Sequence, residues 1–243
     1  MPVRERSLNI GLAELLKTET RAVHSAAERS VFLAELLSGR MDRPAYCAFL
    51  RNLHAIYTVL EQSLERHAHH PMIVPIFLPA LWRTCALEHD LRALHGAAWA
   101  DELALQPSAA TYVGRLRDLD AEQPGLLVAH AYVRYLGDLS GGQMMCRVVA
   151  TTTALDGAVS FYDFGDGSVT QALTLAFRHG LGAIPMDQSR ASALAGEARL
   201  WPSTCISVSS ANCRRLADSL HESGHYPDGA ARAEDCAEPG STM

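Results

Sequence analysis

Lysine is almost absent from this chain of 243 residues. Lysine and arginine together number 21, and Lys17 is the sole lysine among them. The net charge is -6 at pH 7 and the pI is near 6.0, so the chain lacks the basic face that nucleic-acid-binding proteins need. We therefore expect no nucleic-acid partner, and any site that needs a lysine ammonium has Lys17 as its candidate.

The chain also lacks cysteine motifs and long apolar runs. Its 6 cysteines form no C-x-x-C pair and match no zinc or iron–sulfur spacing, which indicates reduced thiols rather than a disulfide framework. The longest apolar stretch, at 71–82, contains three prolines and is shorter than the roughly 20 residues of a membrane span. Because the N-terminus has no continuous apolar signal segment, we expect a soluble, cytoplasmic protein without a membrane anchor.

Apolar residues recur every three or four positions along nearly all of the chain up to residue 200, a period typical of amphipathic helices. The predicted helices cover about 11–29, 32–37, 42–70, 79–95, 108–122, 124–149, 168–180 and 187–200. The expected start signals are Asp42, Pro79, Ser108 and Asp187, and Gly96 is expected to end the helix before it. We expect the 124–149 helix to be interrupted at its glycines, 137 and 141–142. No alternating stretch is long enough to predict a sheet, so the fold class is an all-α, single-domain multi-helix bundle. We expect an N-terminal arm at 1–10, a helical domain at 11–222 and a disordered tail at 223–243.

The first predicted helix carries His24 and Glu28 four residues apart, on one helix face. A neutral imidazole is a good iron ligand when an acceptor holds its second ring N–H and so fixes the ring direction. A His–Glu pair on a helix is more often an exposed polar contact. The spacing alone leaves both interpretations open.

Residues 130–143 read HAYVRYLGDLSGGQ and place three glycines inside an otherwise apolar helix. Each glycine costs about 1 kcal/mol relative to alanine. A missing Cβ lets a flat ligand approach the backbone and favours a kink, although close packing between helices is the alternative. Arg134 and Asp138 lie four apart among these glycines, and a buried carboxylate is costly unless it is paired. The pattern therefore favours an ordered polar network.

The chain resembles the haem oxygenase family, in its soluble bacterial form. The similarity is carried by LKTETRAVHSAAE at 16–28, by AIYTVLE at 55–61 and by LLVAHAYVRYLGDLSGGQ at 126–143, of which the last is the most specific. It extends over about residues 12–200. The resemblance implies haem held between a proximal helix and a kinked, glycine-rich distal helix.

The resemblance implies a proximal side built on the first helix. His24 corresponds to the ligand of the haem iron, and Glu28 corresponds to the acceptor of its other ring N–H. Thr20 lies one turn earlier, in the same contact. Three further residues correspond to side chains that bind the haem propionates in the family: Lys17, Tyr132 and Arg178.

The resemblance also implies a distal side. Gly137 and Gly141 correspond to glycines whose bare backbone lies over the haem and limits the space beside bound dioxygen. Asp138 corresponds to the carboxylate that orders water near that dioxygen. The distal set is completed by two partners in the water network, Tyr57 and Arg134, and by Ser140 in the haem-binding segment.

The implied activity is the oxidative cleavage of haem b, which is both substrate and cofactor, to biliverdin, carbon monoxide and ferrous iron. Dioxygen is the oxidant, and an electron-donating reductase of the ferredoxin or NAD(P)H-dependent type is the expected partner of a monomeric enzyme. Two alternatives remain open. One is a haem-binding or storage protein without turnover, or a degenerate haem oxygenase. The other is a di-iron bundle, which needs two E-x-x-H motifs where only Glu222–His225 fits.

Two stretches depart from the family pattern. Gln171 and Thr174 stand where the family usually has a further cation near Arg178, so fewer charges would hold the propionates. Residues 201–215 are rich in Ser, Thr and Cys where the resemblance implies a final pocket helix with a phenylalanine and an asparagine. We hypothesise a short compensated frameshift in the gene, or a sequencing error, over about 201–215. If the segment is real, one wall of the haem pocket lacks apolar contacts.

Overall fold

The computed structural model describes residues 11–152, 155 and 157–200, and this part of the chain forms nine α-helices and no strand. The predicted all-α fold class is therefore confirmed. The helices are α1 Leu12–Glu28, α2 Val31–Leu37, α3 Arg43–Arg66, α4 Thr84–His95, α5 Trp99–Glu102, α6 Pro107–Glu122, α7 Leu127–Thr151, α8 Gly167–Ala183 and α9 Gln188–Leu200. Short 3₁₀ turns lie at Val74–Ile76, Pro79–Leu81, Pro124–Leu126 and Ser160–Tyr162.

Several predictions concern residues outside the described part of the chain. These are the arm at 1–10, the aberrant stretch at 201–215, the Glu222–His225 pair and the tail at 223–243. Within the described residues, no helix combines the length and the apolar character that crossing a bilayer requires.

Local signals set several helix ends as the sequence predicts. The Asp42 carboxylate accepts the Ala45 N–H at 2.8 Å and caps α3. The Asp187 carboxylate accepts the Arg190 N–H at 2.8 Å at the start of α9. Gly96 ends α4 with a φ of 101°, a left-handed conformation that favours glycine.

Two predicted helix starts are wrong, and each lies beside a proline. Pro79 opens only a 3₁₀ turn, and α4 begins at Thr84, where the Glu61 carboxylate of α3 accepts both the backbone N–H and the hydroxyl. Ser108 does not cap α6, because Pro107 already occupies the first helical position, where its missing N–H costs nothing. The start of α4 is therefore set by Glu61, which is distant in sequence, and the start of α6 is set by Pro107.

The interruption expected in α7 at its glycines is also wrong, because the helix runs unbroken from Leu127 to Thr151. Three internal glycines cost about 1 kcal/mol each. However, α7 packs against α2, α3, α6, α8 and α9, and burial of its apolar side chains sustains the helix.

Helices α3 and α9 each pack against several other helices. The central helix α3 packs against α4, α6 and α7. On the other side of the molecule, α1 packs mainly against α9 and α8, and α9 also packs against α7. Because α9 contacts both α1 and α7, it fixes the position of these two helices relative to each other.

A buried ionic cluster anchors α9. Glu197, 5% exposed, accepts hydrogen bonds from Arg115 Nε at 2.9 Å and Nη2 at 2.7 Å, and from His130 Nε2 at 3.1 Å. The Tyr112 hydroxyl lies 2.8 Å from His130 Nδ1. Burial acts to raise the pKa of Glu197, but the hydrogen bonds from Arg115 and His130 outweigh it and bring the pKa to about 2. Burial lowers the pKa of His130, although the hydrogen bond to Glu197 and its charge oppose the shift.

α8 approaches the Val74–Ile76 turn very closely at Gly180. A Cβ at this position would lie 1.9 Å from the backbone oxygen of Pro75, which cannot move without shifting the turn. The contact therefore requires glycine.

We predict that Gly180→Ala destabilises the protein by about 2 kcal/mol or more, since overpacking against fixed backbone typically costs 1–3 kcal/mol. Gly182→Ala is the matched control in the same helix, because a Cβ there meets nothing within 4 Å. Urea unfolding should show Gly182→Ala unchanged or up to about 1 kcal/mol more stable. Equal stabilities for the two variants would contradict the close contact.

The Glu197 cluster predicts an acid-sensitive fold. A carboxylate with a lowered pKa in the folded state stabilises fully above its ordinary value of 4.5, and this stabilisation is lost as the pH falls through about 2. Glu197→Gln should therefore lose on the order of 2 kcal/mol at pH 7 and show a flatter acid limb in thermal unfolding.

Glu88→Gln is the control for that experiment. Glu88 pairs with Arg92 at 2.6 Å on the surface, and such exposed pairs contribute about 1 kcal/mol or less. If both glutamine variants lost the same stability, the Glu197 cluster would not be the anchor of α9.

Candidate functional site

A cavity of about 230 Å³ lies between α1, α2 and α7. His24 lines it from α1, and Arg134, Asp138 and glycines of α7 line it from the opposite wall. The remaining lining is mainly apolar and includes Phe32, Phe49, Leu53, Met145, Phe161 and Tyr162. The cavity therefore combines an apolar body with a few polar groups, as is typical of small-molecule sites.

The α1 wall presents His24 to the cavity. The His24 side chain is exposed, and within the described residues its ring makes no hydrogen bond to Glu28, which is also exposed. The structure therefore places the two residues one turn apart on an accessible helix face and shows no hydrogen bond between them.

Tyr132 of α7 lies near Thr20 of α1 and Arg178 of α8. Burial raises the pKa of the Tyr132 phenol, and the nearby Thr20 hydroxyl and Arg178 guanidinium oppose that rise. Thr20 is fully buried, so it turns inward toward Tyr132. Arg178 is exposed, and the exposed Lys17 lies 3.7 Å from Glu14.

Two glycines of α7 leave open space where side chains would stand. A Cβ at Gly137 or Gly141 would meet no atom within 4 Å, and both residues line the cavity. A Cβ at Gly142 would instead touch the Tyr162 ring at 3.6 Å. Ser140 is exposed, and its hydroxyl donates to carbonyls within α7. Side chains at Gly137 and Gly141 would therefore project toward the cavity and keep a ligand from the helix backbone.

Tyr57 and Asp138 form a polar pair beside the cavity, which Asp138 lines. The buried Tyr57 hydroxyl donates to the Asp138 carboxylate. Burial raises the pKa of Asp138 to about 6, although the charge of Arg134, the Tyr57 hydrogen bond and the charge of Arg83 all oppose the rise. The carboxyl group therefore titrates near neutral pH, where it can take up or release a proton.

The sequence predictions omit two parts of this site. Arg83 lies close enough to influence Asp138, and nothing in its local sequence points to this role. Residues 155–167 read as a Gly- and Asp-rich loop, whereas the Ser160–Tyr162 turn brings Phe161 and Tyr162 into the cavity wall. The adjacent aromatic pair is the only local signal for this wall.

The comparisons with known proteins agree on one family. The family model described as "Heme oxygenase" matches residues 10–200. The chain is 34% identical over 192 residues to a haem oxygenase 1 of Synechocystis sp., covering 79% of this chain and 80% of that protein.

Solved structures give the same result. The haem complex of haem oxygenase-1 from Synechocystis sp. aligns with a TM-score of 0.80 and 31% identity, covering 88% of this chain and 97% of that one. A haem oxygenase from Leptospira interrogans aligns with a TM-score of 0.76 and 30% identity, covering 82% and 98%.

We predict that Asp138→Asn stabilises the protein at pH 8. Since the folded pKa of Asp138 is raised, its contribution is most favourable below the ordinary value of 3.8 and becomes less favourable as the pH rises through about 6. Asparagine keeps an acceptor for Tyr57 without the charge, so the gain should be on the order of 1 kcal/mol at pH 8 and vanish near pH 4.

Asp120→Asn provides a control of opposite sign. Hydrogen bonds and charge from Arg66 and His67 outweigh the effect of partial burial and lower the pKa of Asp120, so its loss should destabilise the protein at neutral pH. Thermal unfolding from pH 4 to pH 8 measures both variants. A loss of stability in Asp138→Asn at pH 8 would contradict the assignment of a costly buried carboxylate.

Proposed function

The chain belongs to the haem oxygenase family, and we propose that the cavity between α1 and α7 binds haem b and is where the porphyrin is opened to biliverdin, carbon monoxide and ferrous iron. The observation that carries this proposal is the composition of the cavity. A histidine on one wall faces two glycines with open Cβ positions and a half-buried carboxylate on the other. Bound haem, the substrate, would supply the iron chemistry with dioxygen.

We propose that His24 ligates the haem iron through its neutral imidazole. Its accessible ring lines the cavity, and an imidazole suits iron that must bind dioxygen reversibly. Glu28, one turn later on α1, would accept the second ring N–H and fix the ring direction once His24 turns toward the iron.

The opposite wall would hold the flat face of the porphyrin. Gly137 and Gly141 have no Cβ to keep the ring away from the α7 backbone, and the space beyond them is open. The same closeness would limit the positions that dioxygen can take above the ring. Ser140 would contribute through the backbone of this segment, since its hydroxyl is engaged within α7.

The two haem propionates would point toward the cations near Tyr132. Arg178 lies close enough to Tyr132 to oppose the burial effect on its pKa, and Thr20 completes that neighbourhood. Lys17, one turn before Thr20 on α1, would supply the second cation. Its surface pair with Glu14, at 3.7 Å, is weak enough to exchange for a propionate.

Asp138 would hold and deliver protons at the distal face. Its pKa of about 6 lies near the working pH, and efficient proton transfer requires that match. The Tyr57 hydroxyl orients the carboxylate, and the charge of Arg134 keeps part of it ionised. Water held by these groups would carry the proton to the reacting oxygen.

The reaction also needs electrons that the described residues do not store. We propose that a ferredoxin or an NAD(P)H-dependent reductase supplies them to a monomeric enzyme in the cytoplasm. The cavity reaches the surface at the exposed His24 face of α1, which would leave one edge of the haem accessible to such a donor.

Hemin titration followed by reduction in air tests the proposed function. We expect a Soret band of histidine-ligated haem at one equivalent, which then gives way to the absorbance of biliverdin with release of carbon monoxide. A Soret band that persists unchanged under reductant and air would instead identify a haem-binding protein without turnover.

His24→Ala should abolish the histidine-ligated spectrum and biliverdin formation, because no other group lines the α1 wall as a ligand in the described structure. His69→Ala, an exposed histidine far from the cavity lining, is the matched control and should behave as wild type. An unaltered Soret band in His24→Ala would refute the ligand assignment.

Gly141→Ala separates stability from ligand fit. A helical Gly→Ala exchange should raise the free energy of unfolding by up to about 1 kcal/mol, yet the added methyl should weaken hemin binding or change the product isomer. Gly114→Ala in α6, where a Cβ also meets nothing within 4 Å, should raise stability without either effect. Identical hemin titrations and products in the two variants would contradict a haem face at Gly141.

A further inference from the structure

Arg83 is a buried guanidinium whose charge acts on Asp138 and whose contacts extend to the aromatic wall of the cavity. It is 8% exposed and lies directly before α4. Its Nε donates to the Trp82 carbonyl at 2.7 Å, and its Nη1 donates to the Asp163 carbonyl at 2.7 Å. Its Cζ also lies 3.9 Å from the centroid of the Phe164 ring. One side chain therefore joins the start of α4 to the segment 160–164.

α4 also holds the beginning of the segment 160–164, through the side chain of Asp90. The buried Asp90 carboxylate accepts the Ser160 N–H at 3.1 Å and the Phe161 N–H at 2.8 Å. The Ser160–Tyr162 turn is thus fixed by a carboxylate at its N–H groups, while Arg83 holds the carbonyl that follows it. Both contacts act on the backbone, so they set where the turn lies.

The position of this turn matters to the cavity. Phe161 and Tyr162 line the cavity, and the Phe161 ring packs edge-on against Tyr57, with 5.8 Å between centroids. Tyr57 in turn donates to Asp138. A shift of the turn would therefore change both the apolar wall and the residue that orients the carboxylate.

Arg83 also contributes a positive charge near Asp138, which lines the cavity. Its positive charge acts on Asp138 in the same direction as Arg134, but it comes from a different structural element. The ionisable groups that act on Asp138 or Arg83 from the packed elements are Tyr57 and Glu61 of α3, Arg134 and Tyr135 of α7, and Tyr162 of the 3₁₀ turn. Arg83 and Arg134 are the two cations in that set.

We propose that Arg83 is a positioning residue of the haem site, which fixes the Phe161–Tyr162 wall and keeps a permanent positive charge behind Asp138. The proposal rests on the proposed function, since it takes the cavity as the place where haem is bound. A lysine could supply the charge but not the planar fork that stacks on Phe164 and reaches two carbonyls. The two parts of the role are therefore separable by mutation.

Arg83→Gln and Arg83→Lys test the proposal in the haem-free protein. Carboxyl ¹³C NMR, assigned with Asp138→Asn, gives the pKa of Asp138, and amide hydrogen exchange over 161–165 reports the wall. Arg83→Gln should raise the pKa of Asp138 by about one unit and speed the exchange about tenfold. Arg83→Lys should keep the pKa but still speed the exchange. Arg92→Gln, in the exposed part of α4, should change neither.

Two results would overturn the proposal. One is a folded Arg83→Gln protein with an unchanged Asp138 pKa and unchanged exchange. The other is Arg83→Lys with wild-type exchange, which decides the matter even if the glutamine variant fails to fold. In the haem-loaded enzyme, the pH profile of biliverdin formation should move upward in Arg83→Gln and return in Arg83→Lys. Failure of the proposed function would appear separately, as wild-type protein that forms no biliverdin.

Discussion

Burial of a polar line along α7 is the constraint on which the rest of the structure depends. His130, Arg134 and Asp138 follow one another at four-residue spacing, so they share one face of α7. His130 is buried, and Arg134 and Asp138 are half-buried. Buried ionisable groups are costly unless they are paired. Four neighbouring elements supply partners: Tyr57 from α3, Arg83 before α4, Tyr112 from α6 and Glu197 from α9. Arg115 of α6 in turn pairs with Glu197.

The His130 and Asp138 ends of this row of polar residues differ in how fully their charges are paired. At the His130 end, Glu197 has close hydrogen bonds and a pKa brought to about 2, so the cluster stabilises the contact of α9 with α6 and α7. At the Asp138 end, burial prevails and the pKa rises to about 6. The protein thus tolerates a costly carboxylate at the position where we propose proton transfer, and the Glu197 cluster stabilises the fold elsewhere, a division common at functional sites.

Local chemistry allowed much of the fold to be predicted from the sequence. The apolar stripe of α3 and the caps at Asp42 and Asp187 involve residues close together in the chain, so the sequence predicts them directly. The haem oxygenase motifs indicated the family and the residues that line the cavity from α1 and from the glycine-rich part of α7. The start of α4 depends on Glu61, 23 positions earlier, and the Arg83 and Phe161 contacts span about 80 and 70 positions. No local pattern encodes such pairings, and the glycines of α7 were misread as breaks because tertiary packing sustains that helix.

A crystal structure of the protein with hemin tests the central claim most directly. We predict that the iron lies at coordination distance from a ring nitrogen of His24. We also predict that the porphyrin lies against the backbone of Gly137 and Gly141, with Asp138 on the face opposite the histidine. Iron held by another histidine, or haem bound outside the cavity between α1 and α7, would contradict this claim.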